Sequence, residues 1–141
     1  MKLIDANVLL YAVDADARHH EQAKRWLDRA LSGADTVMLP WVCVLAFIRL
    51  TTSARVYENP LTVDDALDIV GSWMSQPNVI APEPTGGHLE RMRQLLAQTG
   101  SGGNLVTDAH LAALAIQHRA TVVTFDADFG RFDGVAWMRP E

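Results

Sequence analysis

Short apolar runs alternate along this chain with longer segments in which apolar residues recur every three or four positions. Runs of three or four residues are too short for helices, and they predict buried strands at 2–4, 36–39, 78–81, 121–124 and 135–138. The longer segments predict amphipathic helices at 18–32, 41–55, 62–76, 88–98 and 105–118. Strands that alternate with helices are typical of a parallel sheet covered on both faces. The pattern therefore predicts an α/β fold, a three-layer α/β/α sandwich with a central, mostly parallel sheet.

Individual residues make the predictions for two of these helices more specific. Thr62 is a suitable N-cap, and two aspartates in the next turn favour the positive end of the helix dipole. The apolar residues of that helix that we expect to face inward are Ala66, Leu67, Val70, Trp73 and Met74. In the helix that starts at residue 41, Arg49 is the first charge, so we expect most of that helix to be buried.

The length and composition fit one folded domain. The chain has 141 residues, 49% of them hydrophobic and 21% charged, and we expect a single domain over residues 1–141. No stretch approaches the roughly 20 apolar residues of a membrane span. The N-terminus enters a strand without a signal-peptide pattern, so we expect a cytoplasmic protein. The single cysteine, Cys43, lies in an apolar run and is expected to be a buried thiol.

The charge balance is acidic, with 17 acidic against 12 basic residues and a net charge of -5. Proteins that hold DNA or RNA by general charge attraction need a basic footprint, so the balance alone argues against nucleic acid. The positions of the acids change this conclusion, because an acidic patch with bound cations attracts phosphate.

Four aspartates fall where strands end or a helix starts. Asp5 follows the first strand, Asp126 and Asp128 follow the fourth, and Asp108 lies in the first turn of the helix after a glycine-rich loop. Ligands of parallel sheets bind beyond the carboxyl ends of the strands. Carboxylate oxygens select Mg²⁺ or Mn²⁺ over zinc, and such a site suits metal-assisted hydrolysis of a phosphodiester. Each acid alone also fits ordinary turn or helix-start chemistry, so the prediction rests on their joint placement.

Other chemistries fit less well. Receiver domains and haloacid-dehalogenase-type phosphatases also need a lysine late in the chain, whereas Lys2 and Lys24 both precede the second strand. The chain has neither a phosphate-binding loop with Lys-Ser/Thr nor a Gly-x-Ser-x-Gly motif. Among the histidines, we interpret His110 either as a residue that supports the acid site or contacts the substrate, or as a structural residue. His118 is expected at a helix end, and the pair at 19–20 on the solvated surface.

Three segments carry a family resemblance. The residues LIDANVLLY at 3–11, TDAHLAALA at 107–115 and TFDADF at 124–129 resemble the PIN-domain ribonucleases, and more narrowly the VapC toxins of type II toxin–antitoxin systems. The likeness covers essentially the whole chain, including its last residues. It implies a Mg²⁺-dependent endoribonuclease, with Mn²⁺ as a substitute, that cleaves RNA, is inhibited by a cognate VapB-type antitoxin and forms a homodimer.

The resemblance also assigns roles to the aspartates. Asp5 and Asp108 would be the principal metal ligands, Asp126 the later acid, and Asp128 a further ligand directly or through water. The polar residues that orient such a site are matched by Asn7 and Thr124.

One position departs from the family. Where the family usually has a glutamate three residues before an arginine such as Arg49, this chain has Ala46, and a methyl group cannot bind metal. Two further hypotheses therefore stay open beside RNA cleavage. The first is a catalytically weak or inactive module that binds RNA or an antitoxin, and the second is a nuclease directed at DNA.

The sequence predicts the residues of substrate contacts and of protein interfaces less specifically than it predicts the acid site. Ten of the 12 basic residues are arginines, which suit bidentate phosphate contacts. Arg49 and Arg55 either flank the acid site or, in the interpretation we favour, form surface ion pairs. Of Trp26, Trp41 and Trp73, at least two are expected in the core, and the helix surface around them is a candidate dimer or antitoxin interface.

Overall fold

Five short strands form one parallel sheet in the computed structural model, which describes residues 1–141. Each strand lies inside an apolar run that predicted it: β1 (Lys2–Ile4), β2 (Val37–Met38), β3 (Val79–Ile80), β4 (Thr121–Val123) and β5 (Trp137–Met138). The spatial order is β3-β2-β1-β4-β5, and every neighbouring pair is parallel. The predicted α/β class and parallel sheet are confirmed.

Six helices connect the strands: α1 (Ala6–Val13), α2 (His20–Leu31), α3 (Trp41–Thr51), α4 (Val63–Met74), α5 (His88–Thr99) and α6 (Leu105–His118). A 3₁₀-helix, Ala127–Arg131, follows β4. The helices α1 to α4 pack against one another, whereas α5 packs on α6. The chain moves across the sheet in one direction through α1–α4 and returns through α5 and α6, so right-handed crossovers place the two groups on opposite faces. This is the predicted three-layer arrangement.

The core fills the space between the sheet and the two helix layers. A cluster of 28 buried residues includes Phe47 of α3, Phe129 after β4, and the apolar face of α6. Cys43 is 2% exposed, as expected, and Trp26 and Trp73 are both buried, whereas Trp41 is half exposed. No helix is both long and apolar enough to cross a membrane.

Helix α1 was not predicted. Its residues 8–13 are almost uniformly apolar, so they show none of the polar alternation that identifies an amphipathic helix. The helix forms because Asp5 caps it, its Oδ1 accepting a hydrogen bond from the Ala6 N–H at 2.7 Å. The helix therefore begins at a residue that the sequence identified as a candidate metal ligand or a turn residue, and not as the cap of a helix.

Three other helix predictions need correction. Most of α3 was expected to be buried, but only four of its 11 residues are, and Trp41 and Leu45 are at least half exposed. Helix α3 ends at Thr51 and not near residue 55, and the hydroxyls of Thr51 and Thr52 hydrogen-bond back to carbonyls of the last turn. In α4 the buried residues Ala66, Val70 and Trp73 form one stripe, and Leu67, which we expected to face inward, lies beside it and is 48% exposed. The predicted cap is confirmed, because the Thr62 side chain accepts a hydrogen bond from the Asp65 N–H.

Candidate metal centre at the carboxyl edge of the sheet

The ends of β1 and β4 bring the first candidate acid into position. Ile4 pairs with Val123, so the next residues, Asp5 and Thr124, lie side by side where the two strands end. In the sheet, β2 lies on one side of β1 and β4 on the other. The gap between the ends of β1 and β4 is therefore the point where the strand order reverses. Such a switch point is where α/β proteins bind ligands. The buried hydroxyl of Thr124 donates a hydrogen bond to Asp5 Oδ2 at 2.8 Å.

Asn7 completes the support of this carboxylate from the first turn of α1. Its Nδ2 donates to Asp5 Oδ2 at 3.3 Å and to Thr124 Oγ1 at 3.1 Å, while its Oδ1 accepts from the Phe125 N–H at 3.1 Å. The Thr124 hydroxyl thus donates one hydrogen bond, to Asp5, and accepts two, from Asn7 and from the Asp126 N–H. A hydroxyl can make no more hydrogen bonds than these three. Asn7 and Thr124 therefore fix the orientation of Asp5.

The loop after β4 carries the next two acids. The Asp126 N–H donates to Thr124 Oγ1 at 3.0 Å, and Asp126 Oδ1 accepts from the Asp128 N–H at 2.9 Å, capping the 3₁₀-helix. This capping geometry is the ordinary turn chemistry that the sequence also allowed for Asp126. It leaves the second oxygen of Asp126 and the exposed carboxylate of Asp128 facing no donor of the protein.

Asp108 approaches the same edge from the first turn of α6. Burial, followed by the charges of Asp5, Asp126 and Asp128, raises the pKa of Asp108 to about 7. The pKa of Asp5 is also raised, first by burial and then by Asp126, against the opposing effect of its hydrogen bonds from Thr124 and Ala6. The structure therefore brings all four predicted aspartates within electrostatic reach of one another. The charges that act most strongly on Asp5 and Asp108 are other carboxylates, not arginines or lysines.

This donor set fits a hard divalent cation. It consists of carboxylate oxygens whose mutual repulsion a cation would relieve, which is the chemistry of Mg²⁺ and Mn²⁺ sites. The side chains do not converge as a ready group of three or more ligands. Mg²⁺ commonly binds through one or two carboxylates and keeps several waters, so a partly hydrated ion suits this arrangement.

Helix α3 contributes no acid to the site. Ala46 is half-buried and has no ligating atom, and Glu58, the next acid along the chain, lies in the segment after α3 has ended. Cys43 of α3 lies near the site, and burial followed by the charges of Asp5 and Asp108 raises the pKa of its thiol. The side of the site that faces α3 is therefore neutral.

Several polar residues behave differently from their sequence interpretation. His110 bonds to His88 at 2.8 Å and His88 bonds to Gln117 at 2.8 Å, so His110 belongs to a polar chain between α5 and α6 and not to the acid cluster. The expectation for His118 is confirmed, since it is the last residue of α6. The surface prediction for residues 19–20 is wrong: both are half-buried, and the ring of His19 stacks on Phe125.

The arginines also differ from expectation. The only two ion pairs in the structure are Lys24–Asp28 and Arg93–Glu90. Arg49 and Arg55 are exposed and pair with no carboxylate, so the favoured interpretation of these two as partners in surface ion pairs is wrong. Lys2 lies in β1, and Lys24 is held by Asp28, which leaves no lysine for a phosphatase-type site.

Asp5, Asp108, Asp126 and Asp128 together form what we call the acidic edge of the sheet. The fold and this acidic edge define a PIN-like domain, and comparison with known proteins agrees. The family model of the PIN domain matches residues 2–135. Ribonuclease VapC37 of Mycobacterium tuberculosis is 49% identical over 140 residues, which cover 99% of this chain and 97% of that protein. The chain belongs to the PIN-domain family, in its branch of VapC ribonucleases.

Solved structures show the same fold at low sequence identity. The VapC20 toxin of Mycobacterium tuberculosis, described as cleaving the sarcin-ricin loop, has a TM-score of 0.69 at 19% identity, over 96% of this chain and 99% of that one. The Rickettsia felis VapBC2 complex, bound to a DNA fragment from its promoter, contains a chain with a TM-score of 0.68 at 20% identity, over 99% and 98% of the two chains.

Proposed function

We propose that this protein is a toxin that cuts RNA with a divalent cation, Mg²⁺ or Mn²⁺, held by Asp5, Asp108, Asp126 and Asp128. The observation that carries the proposal is the uncompensated charge of these four aspartates at the switch point of the sheet. The family supports it, because the relatives are named ribonucleases.

When bound, the cation would activate a water and stabilise the charge that develops on the phosphoryl oxygens. The residues of this chain prepare the site for it. Thr124 and Asn7 hold the Asp5 carboxylate in one orientation before any ligand arrives. Asp108 holds a proton on a carboxylate oxygen below its pKa of about 7, so this ligand becomes available around neutral pH. The hydrogen bond from the Asp128 N–H similarly fixes Asp126.

Phosphate binding would come from individual arginines and not from the net charge. Arg49 and Arg55 carry guanidinium groups that no carboxylate of the protein neutralises. A planar guanidinium can grip a phosphate through two parallel hydrogen bonds. These two residues are therefore our candidates for contacts to the RNA backbone.

The partner we propose is a VapB-type antitoxin. Structural neighbours of this chain come from toxin–antitoxin complexes, including the Rickettsia felis VapBC2 complex. An acidic site without its cation would attract a basic segment of such an inhibitor. We further propose that residues 1–141 act as one domain, that the toxin forms a homodimer, and that it acts in the cytoplasm, where its RNA would be.

The test is an RNA cleavage assay on four proteins: the wild type, Asp5→Asn, Asp108→Asn and the control Asp64→Asn, which alters an exposed aspartate at the start of α4. We expect the wild type and the control to cleave in Mg²⁺ and to stop in EDTA, and the two site variants to be inactive. Unchanged cleavage by both site variants would refute the proposal.

A catalytically weak or inactive binding module is the second candidate, because α3 supplies no carboxylate at Ala46. RNA binding without cleavage by the folded wild type, in millimolar Mg²⁺ or Mn²⁺, would identify it. Adding unlabelled single-stranded DNA to the cleavage assay tests the remaining alternative, since a nuclease directed at DNA would degrade the competitor and a ribonuclease would leave it intact.

A further inference from the structure

Three aromatic rings meet next to the acidic edge, two from neighbouring positions near the N-terminus and one from the loop after β4. Tyr11 of α1, His19 before α2, and Phe125 after β4 form a cluster that we call the aromatic shelf. The His19 and Phe125 rings are stacked, with centroids 4.7 Å apart and planes 10° from parallel. The Tyr11 ring is tilted against both, at 5.3 Å from Phe125 and 6.0 Å from His19.

The shelf adjoins the acid site through the backbone. Phe125 stands between Thr124 and Asp126, and its N–H donates to Asn7, the residue that also supports Asp5. A ligand with a phosphate at the acidic edge would therefore place its neighbouring groups within reach of these rings.

The shelf lies at the margin of the core: Tyr11 and Phe125 pack against the core but are not enclosed by it. All three side chains are only half-buried. The Tyr11 hydroxyl and the ring nitrogens of His19 have no hydrogen-bond partner in the protein, although the adjacent His20 bonds to the Tyr11 carbonyl at 2.8 Å. A cluster that served only for packing would be expected to bury its rings and to pair these polar atoms.

Flat rings with free polar atoms beside a phosphate site suit one type of ligand, a nucleobase that is not paired in a duplex. Unpaired bases of RNA stack on Phe, Tyr and His side chains, whereas bases inside a helix are inaccessible to them. We propose that Tyr11, His19 and Phe125 form a stacking site for an unpaired base beside the scissile phosphate. This inference rests on the proposed ribonuclease function.

The experiment combines removal of a ring with removal of a base. The cut position is first mapped in a mixed-sequence, single-stranded RNA of 12 nucleotides. The same RNA is then made with one abasic nucleotide at each of the two positions on either side of the cut. The value of kcat/KM is measured for the wild type, His19→Ala and Tyr11→Leu, after thermal melting has shown that each variant is folded. His118→Ala is the matched control, because His118 lies ten residues, about 15 Å, along α6 from Asp108.

We expect one abasic position to lower kcat/KM of the wild type about tenfold, as is typical of the loss of one stacked base. His19→Ala should lower it similarly on the complete RNA and should lose little more on the abasic RNA, since the ring and the base act as a pair. The control should lose activity with the abasic RNA just as the wild type does. A duplex of the same sequence should be cut more slowly.

Two results would overturn the stacking site. Either the shelf variants cut all the RNAs at wild-type rates, or they lose the same factor on complete and abasic RNA, which would indicate a purely structural role. Cleavage that depends on Asp5 but shows no coupling between ring and base rejects the shelf alone. A wild type that neither binds nor cuts these RNAs rejects the proposed function and the shelf together.

Discussion

The hydroxyl of Thr124 donates a hydrogen bond to Asp5 Oδ2 across the ends of two parallel strands, joining residues 119 positions apart in the chain. Thr124 Oγ1 also accepts hydrogen bonds from the Asn7 side chain and from the Asp126 N–H. One buried hydroxyl thus sets the orientation of Asp5 and the path of the chain to Asp126. Two of the proposed ligands therefore depend on a residue that itself binds no metal.

Replacing Thr124 with Val tests this dependence, because it removes the hydroxyl and nearly preserves the shape. We expect cation affinity and RNA cleavage to fall about tenfold or more, as for other residues that support metal ligands. The free energy of unfolding should fall by about 1–3 kcal/mol, since the partly buried Asp126 N–H loses its acceptor. Thr124→Ser keeps the hydroxyl and should stay close to the wild type in both measurements. Wild-type affinity and stability in the Val variant, with losses in the Ser variant, would show that the methyl group and not the hydroxyl matters.

Asp108 should destabilise the cation-free protein at high pH. Its pKa is raised from 3.8 to about 7, so the folded state binds this proton more tightly than the unfolded chain does. The destabilisation is therefore absent below about pH 4, grows as the pH rises through this interval, and is complete above about pH 7. In EDTA at pH 8, Asp108→Asn should raise the free energy of unfolding by on the order of 1–2 kcal/mol, a value reduced because the carboxylate is partly exposed.

The pH dependence of this gain is the decisive part of the measurement. Chemical denaturation at pH 5 should show a smaller gain for Asp108→Asn than denaturation at pH 8. Asp64→Asn, at the exposed start of α4, should give no gain at either pH, because its carboxylate favours the helix dipole. A gain for Asp108→Asn that is the same at both pH values would mean that charge repulsion is not its cause.

Addition of the cation should reverse the destabilisation. A ligand that binds only the folded state at 100 times its Kd adds about 2.7 kcal/mol to the free energy of unfolding. We therefore expect saturating Mg²⁺ to raise the Tm of the wild type by several degrees, and to have much less effect on Asp5→Asn. Differential scanning fluorimetry with Mg²⁺, and with Na⁺ at matched ionic strength, separates binding from screening. An equal response of both proteins would place the cation elsewhere.

Replacing Ala46 with Glu is expected to increase RNA cleavage. Ala46→Glu would place a carboxylate on the neutral side of the site, next to the buried Cys43 on α3. We expect cleavage at limiting Mg²⁺ to rise several-fold, together with a loss of stability in EDTA, because one more negative charge joins the cluster. Ala46→Gln has the same shape without the charge and should give neither effect. Matching rates for the Glu and Gln variants would show that this position does not contribute a ligand.

Much of the fold was predictable from local patterns. The five strands lie inside the short apolar runs, and parallel strands bring their carboxyl ends to one edge, so a shared edge for Asp5, Asp126 and Asp128 followed from strand positions. The pairing of β1 with β4, which makes them neighbours, required the structure. Helix α1 was not predictable from periodicity, because its buried residues lack polar neighbours that would mark one face. The end of α3 depends on threonine hydroxyls that bond to the helix backbone, which the apolar pattern does not show.

Contacts between residues far apart in the chain were the least predictable. His19 and Phe125 are separated by more than a hundred residues, and no local signal in either segment indicates that their rings stack. The bond between His88 and His110 is similarly a product of how α5 packs on α6. The missing ion pairs of Arg49 and Arg55 also required the structure, since charge counts do not say which side chains meet.

Anomalous scattering from Mn²⁺ in a crystal of the protein would show directly whether the four aspartates hold the cation. We expect a peak at the carboxyl edge of β1 and β4, bonded to Asp5 and to at least one of the other three aspartates, and lost in crystals of Asp5→Asn. Full Mn²⁺ occupancy at another site, with no peak at these aspartates, would contradict this expectation.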